Sequence, residues 1–146
     1  MTDPATVVAL VSASLTITMR AAKIGKYLYS MKSKFQKAEK SVQQVSTHVS
    51  AMRVAARSLS NWLEDDAVGE EKVEEVKEEM LQVLTACNEL LSDLEDYVVK
   101  ALAGAEKMRF RGRVSYLWNE SVIKETTQTL HQQETALILI LNALHK

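Results

Sequence analysis

Residues 42–63 read VQQVSTHVSAMRVAARSLSNWL. Apolar side chains recur at Val42, Val45, Val49, Met52, Ala56, Leu59 and Leu63, in alternating steps of three and four. That period belongs to an amphipathic helix that keeps one stripe against a partner helix. Downstream, Val73, Val76, Met80, Val83, Cys87, Leu90, Leu94, Tyr97 and Ala101 repeat the same spacing. A helix of that span is about 50 Å long at 1.5 Å per residue. Glu64-Asp65-Asp66 and Gly69 mark the turn between the two.

Upstream, Asp3-Pro4 is a helix-start signal, an N-cap acceptor followed by Pro at the first helical position. It predicts a helix from about Pro4 to about Ser30. Ala13 to Met19 alternates apolar and polar residues as a strand does. With no partner strand legible elsewhere, helix is the better reading. Gly104 and Gly112 bracket a basic connection, and Asn119 and Ser121 are both candidate caps for a last helix. Along that helix Ile123, Leu130, Leu137 and Leu144 recur every seven residues.

Four amphipathic helices predict an all-α fold, an antiparallel four-helix bundle forming a single domain over residues 1–146. Four Gly and one Pro in 146 residues leave too few turn formers for a β-sandwich or a doubly wound sheet. Intermolecular coiled-coil pairing is the alternative, but four seams within one chain favour closure on itself. Apolar residues at 47% and charged residues at 25% exclude a disordered chain. One Cys excludes an internal disulfide and fits a reducing compartment. The opening apolar stretch follows Asp3 rather than Lys or Arg, unlike a signal peptide. From Pro4 to Met19 there is no charge, but these residues fall short of the roughly 20 that span a bilayer. Thr6, Ser12, Ser14, Thr16 and Thr18 dilute them further. The expectation is a protein soluble and cytoplasmic at rest.

A net charge of -1 hides a segregated pattern. Residues 20–57 carry nine basic side chains and one acidic; residues 58–96 carry two basic and thirteen acidic. Two readings stay open. The second and third helices pair partly through opposite charges, or a basic flank beside the apolar N-terminus meets anionic lipid.

No catalytic constellation is legible, and the expectation is a protein that is not an enzyme and needs no cofactor. Cys87 lies on the third seam and reads as a buried structural thiol. His48, His131 and His145 are scattered, without Cys or Glu at ligand spacing, which argues against zinc. The glycines cannot build a phosphate loop. The acidic run from Glu70 to Glu79 reads as a solvated face. Arg109, Arg111 and Arg113, with Phe110 and Tyr116, read as a basic interhelix loop rather than a nucleic-acid site. Trp62 and Trp118, near helix ends, read as covers for an open end of the bundle.

Two stretches carry a family resemblance. One is Asp3-Pro4 with Val7 to Val11. The other is Arg109-Phe110-Arg111-Gly112-Arg113-Val114-Ser115-Tyr116-Leu117-Trp118-Asn119-Glu120, followed by Leu130, Gln132-Gln133, Thr135-Ala136-Leu137 and Leu139-Ile140-Leu141 to Leu144. Together they resemble the N-terminal domains of fungal STAND (NOD-like) receptors, of the HeLo and HeLo-like cell-death type. Those domains are similar in turn to the four-helix bundle of mixed lineage kinase domain-like proteins and to plant coiled-coil resistance domains. The resemblance implies the N-terminal effector domain of a larger immune or heterokaryon-incompatibility receptor. Its implied partners are its own copies, anionic membrane lipids, and an adaptor or downstream protein, with no nucleic acid and no small-molecule substrate. It also implies movement to the plasma membrane on activation, with membrane permeabilisation and programmed cell death as output.

Physically, clustering lets several first helices share an apolar surface and satisfy hydroxyls among themselves. The candidate insertion residues are Val7, Val8, Leu10, Val11, Leu15 and Ile17, with Arg20, Lys23 and Lys26 meeting anionic headgroups. The rival function is a non-lytic interaction module that self-associates or binds an adaptor.

Overall fold

The computed structural model describes residues 4–34, 39–65, 70–107 and 118–145. They form four helices: α1 (Pro4–Lys34), α2 (Glu39–Glu64), α3 (Glu70–Lys107) and α4 (Glu120–His145). No strand occurs among the described residues, and the alternating segment Ala13 to Met19 is helical. The chain is an all-α four-helix bundle. At 1.5 Å per residue α1 is about 46 Å long, α3 about 57 Å, and α2 and α4 about 39 Å each.

Each helix forms because one apolar stripe has neighbours to cover it. On α2 the residues of the seam, Val42 to Leu63, are all buried. On α4 the heptad residues Ile123, Leu130, Leu137 and Leu144 are buried, with Ile140 beside them. On α1 the covered stripe is Leu10, Ser14, Ile17, Ala21, Ile24, Leu28 and Met31. The α3 seam departs from expectation. Val73, Met80, Cys87, Leu94 and Ala101 are buried as expected, but Val76, Val83, Leu90 and Tyr97 are half-buried. Leu84, Leu91 and Val98 take their place in the core. From Met80 to Ala101 the buried residues run in steps of four and three rather than three and four, so the covered stripe takes in Leu84, Leu91 and Val98 and leaves Val83, Leu90 and Tyr97 at its edge along the whole span.

Helix ends follow local chemistry. Pro4 opens α1, and its candidate cap Asp3 lies outside the described residues. Asn119 caps α4: its Oδ1 accepts the backbone N–H of Ser121 at 3.0 Å and of Val122 at 3.4 Å. The backbone N–H of Asn119 itself donates to the Tyr97 hydroxyl at 2.7 Å. Trp118 is buried at the same end, 5.9 Å from the Tyr97 ring, and its Nε1–H donates to Ser41 Oγ at 2.8 Å.

Around the bundle the order is α1, α2, α4, α3, so α2 and α3 face each other across a diagonal. Among the described residues, their expected pairing through opposite charges is therefore not made. The acidic α3 lies beside α1 and α4, and the basic residues it meets are those of α1. Contacts at Ser41/Trp118, His48/Glu134 and Trp62/His145 run in the same order along α2 and α4, so these neighbours are parallel. Contacts at Lys72/Leu144 and Tyr97/Asn119 run in opposite orders, so α3 and α4 are antiparallel. The bundle thus departs from an all-antiparallel arrangement of neighbours.

Candidate functional site: the outer face of α1

α1 sits at a corner, covered by α2 and α3 and open on its remaining side. The sequence candidates divide between the two faces. Leu10 and Ile17 are fully buried, Val7 and Val11 are half-buried, and Val8 and Leu15 are 67% and 41% exposed. Met19, at 72% exposed, and Tyr29, at 79%, belong to the same outward stripe, with Ser12, Ala22 and Lys26 between them. Steps of four and three link Val8, Ser12, Leu15, Met19, Ala22, Lys26 and Tyr29. α1 therefore carries a second seam, mostly apolar and facing outward. Met19 and Tyr29 were legible in the heptad arithmetic, but only burial tells which of the two seams points in.

The segment Pro4–Lys32 is long and apolar enough to cross a bilayer by length and composition, although the uncharged residues alone fall short. A mostly buried core helix of a soluble protein and a signal sequence near the N-terminus are as long and as apolar; here the helix is near the N-terminus and 22% of its apolar window is buried. Hydroxyls within it bond to their own helix. Ser14 Oγ donates to the Leu10 carbonyl at 2.8 Å, Thr16 Oγ1 to that of Ser12 at 2.9 Å, and Thr18 Oγ1 to that of Ser14 at 2.9 Å. Such back-bonding satisfies each donor without water or a neighbouring helix.

The candidate headgroup residues also divide. Lys23 Nζ lies 3.0 Å from Glu95 Oε1 on α3, and Arg20 Nε lies 3.7 Å from Glu95 Oε2. Arg20 Nη1 also donates to the Asn88 carbonyl at 3.2 Å. Both cations therefore hold α1 to α3 in this state. The hydrogen bond and charge of Glu95 raise the pKa of Lys23 above its ordinary 10.5. Asn88 Oδ1, on the residue whose carbonyl accepts Arg20, is buried with no hydrogen-bond partner among the described residues. Lys26 instead lines a groove between α1 and α2 that also holds Lys32, Arg53, Ser46, Thr47 and Ser50. Among the described residues, Lys26, Lys32 and Arg53 are cations lining this groove without an ion pair. Sequence order hid Arg53, which is on another helix.

Elsewhere, Cys87 is buried and desolvation pushes its thiol up to about 12, which fits a structural role. Arg109, Phe110, Arg111, Arg113 and Tyr116 lie outside the described residues. The histidines correct the expectation of scatter. His48 on α2 meets His131 and Glu134 on α4, with one ligand-type atom from each within 4.8 Å of the others. His131 and Glu134 are three apart on one helix, a spacing legible in the sequence; the packing of α2 on α4 that adds His48 was not.

Comparison with protein-family profiles, with curated proteins and with solved structures finds no match to this chain.

Proposed function

We propose that this chain is an effector bundle of the HeLo-like cell-death type, the N-terminal domain of a fungal STAND receptor. It rests in the cytoplasm, oligomerises when its receptor is triggered, and permeabilises the plasma membrane through α1. The observation that carries the reading is the outward apolar stripe Val8, Leu15, Met19, Tyr29 on a helix of membrane-spanning length. The resemblance of residues 3–11 and 109–144 supports it, as do the self-satisfied hydroxyls.

Magnitudes say when insertion occurs. Freeing α1 uncovers Leu10, Ile17, Ile24, Leu28 and Met31, each worth about 1.5–3 kcal/mol of burial. Cations at an anionic surface return about 1 kcal/mol each. Headgroup attraction alone cannot lift α1 from the bundle. Release follows only when lipid or neighbouring α1 copies re-cover the apolar side chains, and clustering favours it by bringing those copies together.

Vesicle leakage tests this. The triple variant Val8→Glu, Leu15→Glu, Met19→Glu changes only outward side chains and should abolish dye release from anionic vesicles while the fold persists. Undiminished release would refute the proposal. Leu10→Glu is unsuitable, because a carboxylate at that fully buried position unfolds the bundle.

A specific feature favours the rival, non-lytic module. Ala51, Val54 and Ala55 of α2 line an apolar groove with Ile138 and Leu141 of α4. Val54 is 58% exposed and Leu139, beside Ile138, 63% exposed. Val54→Glu should abolish self-association and spare membrane binding if the groove is an interaction surface.

A further inference from the structure

We propose that His48, His131 and Glu134 form a binding site for a divalent transition-metal ion of the zinc class, clamping α2 to α4. His48 Nδ1 lies 2.8 Å from Glu134 Oε2, a hydrogen bond in which the ring N–H donates. That pair alone is an ordinary polar bridge. The third group makes it a metal site: the His131 ring stands at 65° to the His48 ring with centroids 5.4 Å apart. One donor atom from each of the three falls within 4.8 Å of the other two.

The placement follows from the fold. His131 and Glu134 share a face of α4 through their i, i+3 spacing. The parallel packing of α2 on α4 brings His48 level with them. Zinc takes imidazole nitrogen and carboxylate oxygen at about 2.0–2.2 Å, so tetrahedral donors stand about 3.5 Å apart. Side-chain rotation supplies the closure from the observed separations; as the metal takes His48 Nδ1, the ring proton passes through solvent to Nε2, and the neutral ring keeps one N–H. Two imidazoles with one carboxylate suit zinc and its first-row neighbours, whereas calcium and magnesium need oxygen donors. His48 and Glu134 are half-buried and His131 is exposed, so the fourth position opens to solvent and takes water. A bound ion would tie α2 to α4, on the side of the bundle away from α1. Because the ion binds the folded chain and not the unfolded one, it stabilises by mass action.

Titration calorimetry and thermal melting of the untagged 146-residue chain with zinc chloride test this. The expected result is one zinc per chain and a raised melting temperature, with no change on adding magnesium. His131→Ala should bind zinc at least tenfold more weakly and melt as the parent does without metal, since His131 is exposed. Glu134→Gln should also lose affinity, and His145→Ala should keep it. Absence of saturable zinc binding by the parent chain, or undiminished binding by His131→Ala, would overturn the assignment.

Discussion

Lys23 on α1 and Glu95 on α3 meet at 3.0 Å, and Arg20 reaches the other oxygen of the same carboxylate. One acid therefore latches the two cations that follow the apolar stretch of α1. Lys23 is an exposed group, and exposed pairs are weak and salt-screened. The latch thus biases α1 toward its docked position without dominating it. Glu95→Gln should lower the melting temperature by a few degrees at most, yet speed vesicle binding measurably in a stopped-flow assay. The sign with pH follows from the raised Lys23 pKa. Its contribution is complete below about 10.5 and is lost as pH climbs through the higher folded value.

The two faces of α1 should respond oppositely to truncation. Leu10→Ala and Ile17→Ala remove fully buried side chains and should each cost about 2–5 kcal/mol in urea unfolding. Val8→Ala and Met19→Ala touch exposed positions and should stay within about 0.5 kcal/mol.

Trp118 closes one end of the bundle with its ring buried and its Nε1–H on Ser41 Oγ. Trp118→Ala should cost about 3–5 kcal/mol. Ser41→Ala leaves the indole donor without that acceptor and should cost about 1–3 kcal/mol. Both are measured by chemical denaturation.

Cys87 provides a separate pH signature. Burial raises its thiol from 9.0 to about 12. The unfolded chain ionises from pH 9 upward while the folded chain keeps its proton. Stability is therefore full below pH 9 and falls by about 1.4 kcal/mol per pH unit until the folded thiol ionises. Cys87→Ala should flatten this decline, measured as unfolding free energy between pH 9 and 10, below the range in which Lys23 titrates. At pH 8 the native thiol should resist alkylation and react once the chain is unfolded.

The helices were legible because their signals are local. The α2 seam, the α4 heptads, the Pro4 start and the Asn119 cap each lie within a few neighbouring residues. What the sequence left unread depends on which helix neighbours which. Opposite charges on α2 and α3 suggested a pair, yet the diagonal order sends Glu95 to Arg20 and Lys23 instead. The same order makes α2 and α4 parallel neighbours, which brings His48 to His131 and Glu134. For α1, apolar residues occupy two seams, and periodicity alone assigns neither to the core. Leu10 and Ile17 turned inward while Val8 and Leu15 turned outward, so six candidates of one chemical type have different roles.

The central claim is that the outward stripe of α1 enters lipid. An environment-sensitive fluorophore on Leu15→Cys reads this directly, because the buried native thiol of Cys87 does not compete for the label. On mixing with anionic vesicles, emission should shift to the blue at position 15 and stay unchanged for the same label at Val54→Cys on α2. Vesicle-bound protein whose position 15 still reports water, or whose position 54 shifts equally, would contradict the account.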